Sequence, residues 1–253
     1  MKIAVCVKAV PDAAAGRRLD PGTKRLDRSS ELAISDFDTY AVEEGLKLKE
    51  AAGDGEVVVV SMGPERAMDA LRKALAMGAD RAVLVSDASL EGADLLGTAK
   101  ALAGALEKES PDLVLFGQQS ADGDGACLWA AVAELLRLPA ISQVAELELG
   151  DGAVTGRRQT EFGYERVRAP LPAVVAVSDA INEPRYPSLK GIMGAKSKPQ
   201  DRLSATEVGG AADARTSVLA VNPPPPRGAS LRVEGGADAA VAVVDFLAER
   251  RLL

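Results

Sequence analysis

Four times in its first half the chain repeats one pattern: a short, wholly apolar run, then apolar residues at helical spacing. The runs are Ile3–Val7, Val57–Val60, Ala82–Val85 and Leu113–Phe116. A strand with no polar face has no side to offer water, so such runs suit strands covered on both faces of a parallel sheet. The stripes between them are Phe37, Tyr40, Ala41 and Leu48; Ala67, Ala70, Leu71, Ala74 and Leu75; Leu95, Ala99, Leu102 and Leu106; and Leu128, Val132, Leu135 and Leu136. Each repeats near i, i+3, i+4, the mark of a helix with one buried side. Pro64 suits the first turn of the second helix, Gly78 its end, and Pro139 stops the fourth. Strand–helix alternation demands right-handed crossovers and predicts an α/β fold, a layered, mostly parallel sheet with flanking helices.

The second half reads differently. Ile141–Leu149, Ala153–Arg158 and Tyr164–Arg168 are strand segments joined by Gly-containing turns, expected to extend the sheet in antiparallel fashion. Ala173–Val177 is one more apolar strand. From Pro184 to Pro226 periodicity fades, and Pro223–Pro226 favours a stiff extended linker. Ala240–Leu252 resumes as a short helix. The expected organisation is a core domain over 1–183 and a C-terminal arm with a terminal helix over 184–253. An arm of this kind buries little against itself, which suggests a partner surface.

Composition removes several classes of chemistry. The chain has no histidine, so histidine-based triads, HExxH zinc sites and Cys/His fingers are excluded. Its two cysteines, Cys6 and Cys127, form no CxxC pair and read as packed thiols rather than nucleophiles. No cluster suggests a metal. Thirty basic against thirty-seven acidic residues, a net charge of −7, argue against a nucleic-acid partner. No acidic pair stands apart as a general acid and base. Met1–Val5 opens directly on a strand without a leader pattern, and no apolar run is long enough to cross a membrane, so a soluble cytoplasmic protein is expected.

Loops at the strand ends carry the remaining signals. Gly117–Gly125 follows the fourth strand and precedes the Leu128 helix, the position where open α/β sheets bind ligands. Its glycines permit close backbone approach, and the helix amides behind it can receive a phosphate. The same residues fit a plain connection with Asp124 capping the helix. Lys8, ending the first strand, suits a ligand charge or an ordinary surface. Ser61-Met62-Gly63-Pro64 sits at a third strand end. Farther on, Tyr186, Leu189, Ile192 and Met193 form an apolar set framed by Arg185, Lys190, Lys196 and Lys198. It fits a loop covering the core or a docking segment.

In order and spacing these segments resemble the β subunit of electron transfer flavoprotein, from Lys2 to about Pro226. The residues that carry the resemblance are Val5-Cys6-Val7-Lys8 with Pro11-Asp12, Ala41-Val42-Glu43-Glu44, Ala74 to Arg81, Gly117 to Asp124, Leu171 to Val175 and Asn182 to Tyr186. Val154, Arg157, Glu161, Gly163, Glu165 and Val167 match much of the signature before the Leu171 strand. The resemblance implies a heterodimer with an α subunit that holds most of one FAD, and an AMP within the β subunit. It implies electrons arriving from flavin dehydrogenases, such as the acyl-CoA dehydrogenases of fatty acid oxidation, and leaving to a membrane quinone oxidoreductase. The implied fold is adenine nucleotide alpha-hydrolase-like.

By position, the resemblance places Cys6 and Lys8 at the crevice and Ser35, Asp36, Phe37, Asp38 and Met62 on its adenosine side. It places Asp122, Gly123, Asp124, Gly125, Ala126, Cys127, Leu128, Trp129 and Ala130 on the phosphate side. Arg185, Tyr186, Leu189, Ile192 and Met193 fall in the recognition loop, with Leu189 as the anchor for dehydrogenases. The chain departs from the pattern at Cys127, where relatives have Gln, and at Trp129, where they have Gly. An inward indole would close the phosphate approach; an outward one would leave it open. AMP is the expected occupant, with a second FAD of the electron-bifurcating type or no nucleotide as the alternatives. A stand-alone nucleotide-binding regulatory module is the rival class.

Overall fold

The computed structural model describes residues 1–253 except Ala13, Ala15, Ala212, Pro223, 227–231 and Glu234. Pro223 of the proline run therefore lies outside the described residues. The chain forms two compact units, Met1–Ser217 and Val218–Leu253.

The first unit is built on one nine-stranded sheet. Its strands are β1 (Lys2–Cys6), β4 (Glu56–Met62), β5 (Arg81–Val85), β6 (Leu113–Gly117), β7 (Ala140–Gly150), β8 (Ala153–Thr160), β9 (Gly163–Pro170), β10 (Ala173–Val177) and β11 (Gln200–Leu203), in the order β11-β5-β4-β1-β6-β10-β7-β8-β9. A separate short hairpin pairs β2 (Ala9–Pro11) with β3 (Leu32–Ile34). All four apolar runs form central strands, and their alternate residues feed two cores. Ile3, Val5, Val57 and Val59 face one side, under α1 (Asp36–Ala52) and α2 (Ala67–Met77). Ala4, Cys6, Val58 and Val60 face the other, under α3 (Leu95–Glu109) and α4 (Leu128–Leu136). The layered, mostly parallel α/β architecture follows from that two-sided burial.

Ala74 to Arg81 serves this framework rather than a site. Gly78 ends α2 with φ 141°, pressed against Leu46. Asp80 accepts the Val57 amide at 2.8 Å and the Lys49 ammonium at 2.6 Å. Arg81 joins Glu109, Glu56 and Asp201 where β4, β5, β11 and α3 meet.

Several expectations need correction. The Ile141–Leu149 segment, β7, runs parallel to β10 on one side and pairs antiparallel with β8 on the other, and β8 pairs antiparallel with β9. β10 inserts between β6 and β7, so β7 cannot simply continue a meander. β11 adds a parallel edge strand beside β5, and the 3₁₀ turn Thr206–Val208 packs on α3 so closely that a Cβ at Gly104 would lie 2.3 Å from the Val208 carbonyl. The core unit thus runs to Ser217, past the boundary expected at 183. β11 alternates little and is half exposed, which hid it from a periodicity argument. Pro64 lies in the turn before α2 rather than within it.

In the second unit, α6 spans Gly236–Glu249, slightly earlier than the expected Ala240–Leu252. Among the described residues, no helix is long and apolar enough to cross a membrane.

Candidate functional site

The order β4-β1-β6 makes β1 the place where the chain reverses direction across the sheet. Loops leaving the strand ends diverge there and open a crevice. This crevice has a volume of about 320 Å³, at the lower end of the range for small-molecule sites. Cys6 to Ala9, Met62 to Pro64 and Phe116–Gly117 bring the strand ends to it. Leu95, Thr98 and Leu102 contribute from α3, Leu128 and Trp129 from α4, and Asp38 from α1.

Charge in the wall is organised around Asp122. One of its oxygens accepts the Lys8 ammonium at 2.7 Å, and the other pairs with the Arg28 guanidinium. Arg28 also donates to the Ala9 carbonyl at 2.9 Å. The Asp122 side chain is 3% exposed, against 42% for Lys8 and 33% for Arg28. Burial pushes the Asp122 carboxyl up, but the Lys8 hydrogen bond and the two cations outweigh it and hold the group below the ordinary range. Two cations around one carboxylate leave this cluster with one net positive charge.

Asp38 braces the floor. Its carboxyl accepts the Lys8 amide at 2.7 Å and the Gly117 amide at 3.3 Å. Burial nevertheless pushes it up to about 7, against those two bonds. Gly117 is required by this approach: a Cβ there would meet Phe37 backbone at 2.5 Å and Asp38 Oδ1 at 2.6 Å. Burial first, and the Asp38 charge second, push the Cys6 thiol far up, so it packs as a neutral group.

The Gly117–Gly125 loop closes on itself, with the Ser120 amide donating to Gly125 and the Asp124 amide to Ser120. Ser35 Oγ accepts the Ala121 amide at 3.0 Å. Asp124, at φ 50°, makes the turn and does not cap the helix. α4 is capped instead at Cys127, whose side chain makes no cap bond. The amides of Leu128, Trp129 and Ala130 precede the helix's first internal hydrogen bond, from Ala131 to Cys127.

Of the residues expected at a nucleotide site, Cys6, Lys8, Asp38, Met62, Gly125, Leu128 and Trp129 line the crevice. Ser35, Phe37 and Asp122 support it from behind. Asp36, Gly123, Asp124, Ala126, Cys127 and Ala130 do not line it. Cys127 is exposed, correcting its expected burial, because it sits in the turn before α4. Trp129 both lines the crevice and packs against the second core. Sequence reasoning missed Arg28, which belongs to no periodic segment and reaches the site only through tertiary folding. Leu95 and Leu102 were visible as a helical stripe but not as crevice wall.

A second surface lies at Asn182–Gly194. Asn182 donates to the Tyr40 carbonyl and Glu44, and Arg185 is bound by Glu43 and Glu50 of α1. Ser188 caps α5 (Leu189–Gly194), accepting the Gly191 amide at 3.0 Å. Gly191 packs on α2, where a Cβ would stand 2.2 Å from the Ala76 carbonyl. The polar residues thus hold the segment down while Tyr186, Leu189, Ile192 and Met193 face outward, 55–95% exposed. Such an apolar set does not cover the core. Arg185 is held by its ion pairs to α1.

The electron transfer flavoprotein domain profile matches residues 23–208. The chain is 40% identical to the electron transfer flavoprotein subunit beta of Mycobacterium tuberculosis, covering 99% of each chain. It is 39% identical to the subunit of that name from Syntrophomonas wolfei, covering 92% of this chain and 90% of the other. It is 34% identical to the caffeyl-CoA reductase-Etf complex subunit CarD of Acetobacterium woodii, covering 100% of both. With the profile matched over residues 23–208 and relatives matched along nearly the whole chain, the chain belongs to the electron transfer flavoprotein β-subunit family.

Proposed function

We propose that this chain is the nucleotide-holding half of a heterodimeric electron carrier. As a β subunit of its family it shuttles electrons from flavin dehydrogenases via FAD, which the α subunit mainly holds. Its own crevice binds one AMP as a structural group, in a fold of the adenine nucleotide alpha-hydrolase-like type. The observation that carries this reading is the Lys8–Asp122–Arg28 cluster at the switch-point crevice. One net positive charge at that cluster suits a single phosphate. The crevice volume favours a mononucleotide over the second FAD of a bifurcating relative.

Leu189 anchors donor dehydrogenases, with Tyr186, Ile192 and Met193 beside it. Dehydrogenases of fatty acid oxidation are the expected donors, a membrane quinone oxidoreductase the acceptor and the cytoplasm the compartment. When bound, FAD supplies the redox chemistry; this chain's residues hold the second nucleotide and present the docking surface.

Coexpression with a partner α subunit tests the reading. A stable yellow heterodimer, reduced anaerobically by an acyl-CoA dehydrogenase and its substrate, is expected. A monomer that ignores the α subunit and never acquires flavin would instead support the stand-alone regulatory module.

A further inference from the structure

Resting on the nucleotide reading of the crevice, we infer that Trp129 is its selectivity residue: the indole walls a space for one flat aromatic base, and the Lys8–Arg28 pair seats the phosphate carried by the sugar of that nucleotide. Trp129 is the chain's single tryptophan and the second residue of α4. It is half-buried, lines the crevice and packs, with Leu128, against the core beneath α3 and α4. Packing of that kind fixes the indole rather than leaving it to swing. Leu95, Leu102 and Phe116 line the same crevice. Thr98 and the indole N–H are the hydrogen-bonding side-chain groups in this part, which is otherwise apolar and favours contact with an aromatic ring.

Polar lining is provided by Lys8, Arg28, Gln119 and Ser120, with Asp38 on the floor and Thr98 on α3. Asp122 neutralises one of the two cations, so the pair balances one anionic group rather than several. Side chains on a helix lean toward its N-terminus, so an indole at the second position covers the helix opening. That places the anion at Lys8 and Arg28 instead of deep against the α4 amides. A volume near 320 Å³, at the lower end for small-molecule sites, favours a mononucleotide over a dinucleotide.

The test uses the full chain, in which Trp129 is the only indole. Its fluorescence is followed during titration with AMP and with ribose 5-phosphate, and FAD binding is measured by equilibrium dialysis. AMP is expected to change the indole emission and to bind at least about fivefold tighter than ribose 5-phosphate, the lower bound for one base stacked on an aromatic ring. FAD should bind more weakly than AMP. W129G should lower AMP affinity to that of ribose 5-phosphate and let FAD compete, while W129F, which keeps an aromatic face and the fold, should retain most AMP affinity. Equal binding of AMP and ribose 5-phosphate with unchanged emission would overturn the role of Trp129 while leaving the crevice a phosphate site. AMP affinity untouched in W129G would overturn it equally. Failure of AMP to bind at all would remove the nucleotide reading itself, and the inference with it.

Discussion

Replacing Arg185 with alanine should destabilise the protein without touching the crevice. The guanidinium reaches Glu43 at 2.7 and 3.0 Å and Glu50 at 2.5 and 3.0 Å, and the Arg185 amide adds a 3.2 Å bond to Glu43. The Glu43 side chain is 7% exposed and that of Arg185 34%. Breaking a fully buried pair costs about 3–5 kcal/mol because the remaining charge is stranded. Water reaches Arg185, which reduces the Glu43 share to about 2–3 kcal/mol. Glu50, 59% exposed, adds less than about 1 kcal/mol. R185A should therefore lose about 2–4 kcal/mol, a fall in melting temperature of roughly 4–15 °C for a chain of this size. The assay is a double-mutant cycle by denaturant unfolding with R185A, E43Q and both together. A coupling energy of about 1.5–2.5 kcal/mol is expected, against a much smaller one for the R185A and E50Q cycle. The Arg185 hydrogen bond also holds the Glu50 carboxyl below the ordinary value of 4.5, so its share is present above that pH and fades as the carboxylate protonates below it. Additive Arg185 and Glu43 effects, with coupling below about 0.5 kcal/mol, would refute the anchoring argument.

Leu189→Ala should weaken dehydrogenase-dependent reduction of the carrier by about 1–3 kcal/mol in apparent binding, read from steady-state titration, with flavin content and heterodimer stability unchanged. Gly191→Ala should lower the same coupling, because a Cβ 2.2 Å from the Ala76 carbonyl forces α5 off α2; normal coupling would show that α5 need not sit there. Gly117→Ala should cost about 1–3 kcal/mol or more by overpacking against Phe37 and Asp38, measured by thermal unfolding, and should lower nucleotide content with it. Asp38 titrates near 7 in the fold against 3.8 ordinarily, so the folded state keeps a proton the unfolded chain releases. Wild-type stability should therefore fall as pH rises between those values and level off above about 7, and Asp38→Asn should flatten that slope in unfolding midpoints.

The fold was legible wherever burial on two faces wrote continuous apolar runs, as in β1, β4, β5 and β6. It was not legible where pairing was decided by chain geometry. β7 carries the alternation of a half-exposed strand, yet β10 slots beside it in parallel, and no local pattern encodes that insertion. β11 is too short and polar to announce itself, and its place at the edge depends on the 3₁₀ turn behind it packing on α3. In the site, glycines and strand ends located Gly117 and Lys8, because close approach and a charged strand end have local signatures. Arg28 had none: its value lies in meeting Asp122 from ninety-four residues away. Arg185 looked like a charged rim in sequence, and only the buried Glu43 reveals it as an anchor.

The central claim is that this β subunit holds a mononucleotide of its own beside the flavin of the heterodimer. Denaturing the purified heterodimer and separating the released nucleotides by chromatography tests it most directly. FAD and AMP are expected in equal amounts, with AMP lost when Lys8 and Arg28 are both replaced by alanine while FAD stays bound. Two FAD per heterodimer, or FAD with no adenine mononucleotide even after incubation with AMP, would contradict it.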